Sequence, residues 1–215
     1  MIRFAPLTRM IKHIIIINVL IFIAVYMSPL ANVFGMGKME LSSFLSFHFP
    51  GHGFNPIQLI SHMFMHDGIS HGGQLSFRHL LYNMVGLYFL GTTVENTLGE
   101  KKFLTLYFIA GFAALLAHIG VGYFTGSYNP VLGASGAVSG VVVAFATFYP
   151  NRTLMLFPIP IPIKAVYLVG AYIAYDLYNG FSGASTGIAH FAHLGGALAG
   201  FILATMWKRQ NYRQY

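Results

Sequence analysis

Six stretches of this 215-residue chain are almost wholly apolar, and each is near the length that crosses a bilayer. They fall at 11–31, 79–94, 103–124, 134–149, 163–178 and 188–207. A hydrocarbon core of about 30 Å takes roughly 20 residues of helix. Inside it every backbone N–H and C=O must be paired within the protein, which leaves helices and closed barrels. None of the six alternates with the period of two that a barrel strand needs, so each reads as a helix. Only 8% of the residues are charged, against about 25% in a soluble domain, too few to cover a water-facing surface. The expectation is an all-α, polytopic six-transmembrane-helix bundle forming a single domain over 1–215, in contact with membrane lipids.

The distribution of charge sets an orientation. With a cytoplasmic N-terminus and six spans, Arg3, Arg9, Lys12, Lys101, Lys102, Arg152, Lys164, Lys208, Arg209 and Arg213 all fall on the cytoplasmic side, and Lys38 and Arg78 outside. That bias follows the positive-inside rule and puts both termini in the cytoplasm. The net charge of +7 is thereby explained by topology, and no nucleic-acid partner is expected. Arg3, Arg9 and Lys12 ahead of Ile14–Ile17 resemble the start of a secretory leader, but the apolar run is long and 28–31 is a poor cleavage site. The chain has no cysteine, which excludes disulfides, thiolate metal sites and a cysteine nucleophile. Residues 32–78 form a long outer loop whose apolar pieces, 41–49 and 57–65, are too short to span and suit the interface. The prolines of 157–162 predict a stiff turn into the fifth helix, and the glycine-rich 180–187 a mobile fifth connection.

Polar side chains inside such segments are costly and point to function. On this topology helices two, four and six all run from outside to inside. His79 opens the second, Ser135 the fourth, and His193 lies about one turn into the sixth, so all three share one depth below the outer surface. The fourth helix is short, about 24 Å at 1.5 Å per residue, so its N-terminus is recessed where water can reach it. A hydroxyl that attacks and an imidazole that takes its proton are the minimal parts of a nucleophilic hydrolase. Asn83 follows His79 by four residues, on the same helical face. His79, Asn83 and the Ser135 backbone N–H, unpaired at a helix start, could form an oxyanion hole. Gly136 with Gly140, and Gly196 with Gly200, are small-xxx-small pairs that let the fourth and sixth helices approach. Taken singly, each of these features is ordinary helix packing; their joint occurrence at one depth is what points to a site.

Together these residues resemble the rhomboid intramembrane serine proteases. The resemblance covers roughly 56–207. It rests on His79-Leu80-Leu81-Tyr82-Asn83, on Gly133-Ala134-Ser135-Gly136 and on Ala192-His193 with Gly196 and Gly200, in that order on the second, fourth and sixth helices. It implies a rhomboid-like fold and a Ser–His dyad without a third, acidic member, with Ser135 as nucleophile and His193 as general base. His79, Asn83 and the Ser135 N–H would hold the oxyanion. It also implies transmembrane protein substrates cut in or near the membrane, lateral access near helices two and five beneath the fifth connection, and no metal or organic cofactor. Of the acidic residues Glu40, Asp67, Glu95, Glu100 and Asp176, none is expected at His193. The chain departs from the family at Ile57-Gln58, where Trp-Arg is common, in the long connection 67–78, and at Ser139, where an aromatic residue usually packs on the imidazole.

Three other readings stand beside this one. A catalytically inactive rhomboid-like binder of membrane substrates usually lacks the nucleophile or the base, and both are present here. A bis-histidine haem or metal protein would use pairs such as His48/His52 or His62/His66, but these lie in the outer loop, where hydrogen bonding within the loop accounts for them. A transporter would call for an inverted repeat or an intramembrane acidic cluster, and neither is found. A bacterial inner membrane, with the site opening to the periplasmic side, is the expected location.

Overall fold

Helices that have lipid for solvent gain little from hiding apolar surface from one another, and hold together where their backbones come close. The seam of this molecule is such a contact. A computed structural model describes residues 6–27, 35, 37–69, 73–156, 159–182 and 189–212. In chain order the elements are α1 (Arg9–Tyr26), α2 (Lys38–Leu45), α3 (Gln58–Ser61), α4 (Arg78–Gly86), α5 (Thr92–Leu98), α6 (Glu100–Thr125), α7 (Ser135–Phe148), the strands β1 (Thr153–Leu156) and β2 (Ile159–Lys164), α8 (Ala165–Ser182) and α9 (His190–Tyr212). Among the described residues, α1 and α6 are long and apolar enough to cross a membrane, while α7 is apolar but only 14 residues long, about 21 Å.

The core is built by α6, α7 and α9, which pack on one another far more extensively than on the rest. At the seam of α7 and α9 a Cβ built on Gly196 would overlap the carbonyl oxygen of Gly136, and one on Gly200 that of Gly140. The third helix lies as close: a Cβ on Gly136 would strike Ala114, and one on Gly140 would strike Ala110. All four glycines of the two small-xxx-small pairs line this seam.

The second expected span runs on past 94. Arg78–Gly86 continues through a π-helical turn, Leu87–Gly91, into Thr92–Leu98. A π turn absorbs one extra residue within a helix, a detail to which hydrophobic periodicity is blind. Residues 28–31 of the first expected span lie outside the described residues. Residues 157–158 of the proline-rich stretch lie outside the described residues, and 159–162 lie in a strand. Thr153–Leu156 pairs antiparallel with Ile159–Lys164 in a two-stranded ribbon, where proline is tolerated because an outer edge leaves N–H groups unused. The fifth connection, taken in the sequence as 180–187, lies outside the described residues from 183 onward.

Several ties gather helix ends at one end of the bundle. Glu95 accepts hydrogen bonds from the Thr8 hydroxyl (2.5 Å) and from the N–H groups of Met10 (3.0 Å) and Ile11 (2.9 Å), so a carboxylate from α5 satisfies the unpaired first turn of α1. Thr97 bonds to Tyr149 at 2.7 Å, and Lys208 donates to the Thr147 carbonyl at 2.7 Å. At the opposite end, Phe47 and Phe49 of the long loop pack on Leu115, and Phe47 pairs with Val131. Gln58 anchors that loop. It is 1% exposed, accepts from the N–H groups of His48 and Asn55, and donates to the carbonyls of Phe44 and Gly53.

Candidate active site

Ser135 is the first residue of α7, directly after Gly133 and Ala134. Gly133 has φ +118°, a backbone region open to glycine and strained for residues with a Cβ. That turn lifts the start of α7 toward α9. The Ser135 Oγ lies 2.9 Å from His193 Nε2, a hydrogen bond between residues of the expected pair, brought together by the glycine seam below them. The cleft around them measures about 1080 Å³ and is lined by His79, Asn83, Gly133, Ser135, Tyr172 and His193. Ser135, His79 and His193 are half-buried, so water reaches all three.

The hydrogen-bond partners fix the tautomers. His79 Nδ1 accepts the Asp67 N–H at 3.3 Å. A neutral ring whose Nδ1 accepts carries its proton on Nε2. That nitrogen faces Gly133, where an added Cβ would stand 2.8 Å from it and 3.6 Å from Ser135 Oγ. His79 thus presents an N–H into the space beside the serine. Asn83 is buried, and its amide donates to the His79 carbonyl at 2.9 Å, which leaves its second amide hydrogen for another acceptor. The Ser135 N–H sits in the first turn of α7 and needs no intrahelical partner.

The end of the outer loop braces the turn that leads into Ser135. The His62 carbonyl accepts the Gly133 N–H at 2.8 Å, and His66 Nε2 lies 3.5 Å from the Ala134 N–H. Burial holds the His62 imidazole down to about 4 and that of His66 to about 3, the latter helped by neighbouring His79. Both rings are neutral props. His62 Nδ1 bonds to the Gln58 carbonyl, and His48 bonds to Ser43, so these loop histidines are engaged within the loop. His118 bonds to the Asn129 carbonyl at 2.9 Å.

One expectation is overturned. An acidic residue does stand at His193: Asp176, on α8, places Oδ2 3.3 Å from His193 Nδ1 and Oδ1 2.6 Å from His190 Nδ1. It is 1% exposed. The aromatic neighbour of the imidazole is also present, supplied from a different helix. Tyr172 of α8 lies with its ring 6.2 Å from that of His193, and its hydroxyl bonds to Ser139 at 2.6 Å. A signal was available in the sequence. Asp176 falls in the last two turns of the fifth expected span, which on the expected topology runs from inside to outside, and the depth argument that aligned Ser135 with His193 would have placed it there too.

A serine hydroxyl against an imidazole, within a bundle of apolar helices, defines a helical membrane protein with the parts of a serine hydrolase. The Rhomboid domain model matches residues 54–210, and the chain belongs to the Rhomboid family, whose members are multi-span helical membrane proteins. It is 33% identical over 143 residues to the human "Presenilin-associated rhomboid-like protein, mitochondrial", covering 63% of this chain and 37% of that protein. To "RHOMBOID-like protein 12, mitochondrial" of Arabidopsis thaliana it is 32% identical over 165 residues, 69% and 46% of the two chains. To "Rhomboid protease GluP" of Bacillus subtilis it is 30% identical over 148 residues, 68% and 25%. The matched region therefore spans less than half the length of these relatives.

Proposed function

We propose that this protein is an intramembrane serine endopeptidase that hydrolyses peptide bonds in or near the transmembrane segments of membrane-protein substrates. The observation that carries the reading is the 2.9 Å bond between Ser135 Oγ and His193 Nε2, in a cleft where donors converge on the space beside the serine. Ser135 Oγ attacks the scissile carbonyl and passes its proton to His193 Nε2. The negative charge that develops on the carbonyl oxygen is held by the Ser135 N–H, His79 Nε2–H and the Asn83 amide. Collapse of the tetrahedral intermediate breaks the C–N bond. His193 gives its proton to the leaving amine and an acyl-serine remains. Water, deprotonated by the same imidazole, then releases the acid and restores the serine. The chain's own residues supply every proton transfer.

The wider reading comprises a single domain of six spans with both termini cytoplasmic, lateral access near the second and fifth helices, and a site facing the outer side of a bacterial inner membrane. The bacterial relative named a rhomboid protease supports the activity; the relatives named as mitochondrial place the family in organelles as well as in bacteria. The test is chemical. A fluorophosphonate probe is expected to label the detergent-solubilised protein at Ser135, and Ser135→Ala and His193→Ala are each expected to abolish cleavage of a model transmembrane substrate while the melting temperature holds. A folded protein that neither labels nor cleaves would instead be a binder of membrane segments.

A further inference from the structure

We propose that the Asp176 carboxylate, bridging His190 and His193 from α8, is the positioning residue that holds the His193 imidazole toward Ser135. The inference rests on the reading of Ser135 and His193 as the reacting pair. It departs from the acid-free dyad that the family resemblance implies.

A carboxylate that is 1% exposed inside an apolar bundle is costly, and is retained where it is paired and does something specific. Here both oxygens are engaged by imidazoles: Oδ1 with His190 Nδ1 at 2.6 Å and Oδ2 with His193 Nδ1 at 3.3 Å. An ionised carboxylate only accepts, so each ring must carry its proton on Nδ1. For His193 that leaves Nε2 as a lone pair, the tautomer needed to take the Ser135 proton across 2.9 Å. His190 shares the carboxylate and fixes its plane, so Oδ2 is presented to His193 from a buried, doubly held group. The remaining groups facing the His193 ring are consistent with this division of labour. Tyr172 of α8 lies beside it, tethered to Ser139, and His79 of α4 lines the same cleft. Ser139 of α7 is too small to support the imidazole, and α8 supplies both the tyrosine and the carboxylate beside it. Its packing on α7 and α9 is much lighter than theirs on each other, so a displaced α8 would take carboxylate and tyrosine away together and leave His193 unaligned.

The experiment compares wild type, Asp176→Asn and Asp176→Glu for kcat, KM and the rate of fluorophosphonate labelling. In Asp176→Asn, kcat and the labelling rate are expected to fall, by up to the order of 10⁴ seen when a buried aspartate behind a catalytic histidine is made an amide, with KM little changed. Asp176→Glu is expected to recover part of the loss by restoring the acceptor. A folded Asp176→Asn that labels and turns over like wild type overturns the proposal. If the amide variant does not fold, ¹⁵N-histidine spectra of the wild type decide. His193, assigned by its loss in His193→Ala, is expected to carry its resting proton on Nδ1, and a proton on Nε2 overturns the proposal. A wild type that fails to label at Ser135 removes the underlying reading as well, so the two failures are distinct.

Discussion

Gly133 separates the two groups that would embrace a developing oxyanion. Its left-handed backbone turns the chain into α7, and its lack of a Cβ leaves open the space between His79 Nε2 and Ser135 Oγ. An alanine there acts twice: the backbone strain costs on the order of 1–3 kcal/mol, and the methyl occupies the room in which the carbonyl oxygen of a substrate would sit. Gly133→Ala is therefore expected to lower kcat on the order of 10²-fold, the scale of one lost oxyanion donor, by more than its fall in melting temperature explains. Paired measurements of kcat and thermal unfolding check this. Wild-type turnover in that variant would show that the oxyanion lies elsewhere. Gln58 teaches a related lesson. It stands where the family pattern has Trp-Arg, yet a buried amide with two acceptor lone pairs and two donors can tie four backbone groups, and here it does.

Between helices, the same economy of atoms sets the distance from α7 to α9. Gly200→Ala would drive a methyl into the Gly140 carbonyl, and overpacking of this kind costs about 1–3 kcal/mol. Because α9 also carries His193, any widening of the seam also moves the imidazole from Ser135. The variant is expected to lose both stability and activity, whereas Gly170→Ala on α8, with open space around the added methyl, is expected to be neutral in both. Denaturation in detergent micelles reads the first effect and probe labelling the second; a Gly200→Ala protein as stable as wild type would sink the account. This seam was legible in the sequence because residues four apart share a helical face, and because polar residues that open or nearly open helices running the same way share a depth. Asp176 and Tyr172 were not read from the sequence, since spacing along one helix says nothing about how a neighbouring helix is rotated. The π turn at Leu87–Gly91 and the ribbon at Thr153–Lys164 were hidden for a further reason: backbone pairing, rather than any apolar pattern, defines them.

For the molecule as a whole, topology decides what the cleft can reach. The start of α1, the end of α5, the start of α6 and the ends of α7 and α9 are tied together by Glu95, by the Arg9–Glu100 pair at 3.8 Å, by Thr97–Tyr149 and by Lys208–Thr147. Lys102 lies 5.9 Å from the Trp207 ring at this same end. Ser135 and His193 sit at the other end, beneath the outer loop. Ten of the twelve lysines and arginines belong, by the sequence reading, to the first end, and basic flanks are retained on the cytoplasmic side. The cleft should then open away from the cytoplasm, toward substrates whose cleavage sites lie near the outer leaflet. The chain contains no cysteine, so single cysteines report position without background. A membrane-impermeant maleimide is expected to label Gly51→Cys in intact spheroplasts, and to reach Asn151→Cys in the connection after α7 only when the membrane is opened. Because Asn151 adjoins the helix end tied to Lys208 and Thr97, its labelling in sealed cells would invert the entire bundle and put Ser135 on the cytoplasmic face, where an outer-leaflet substrate could not meet it.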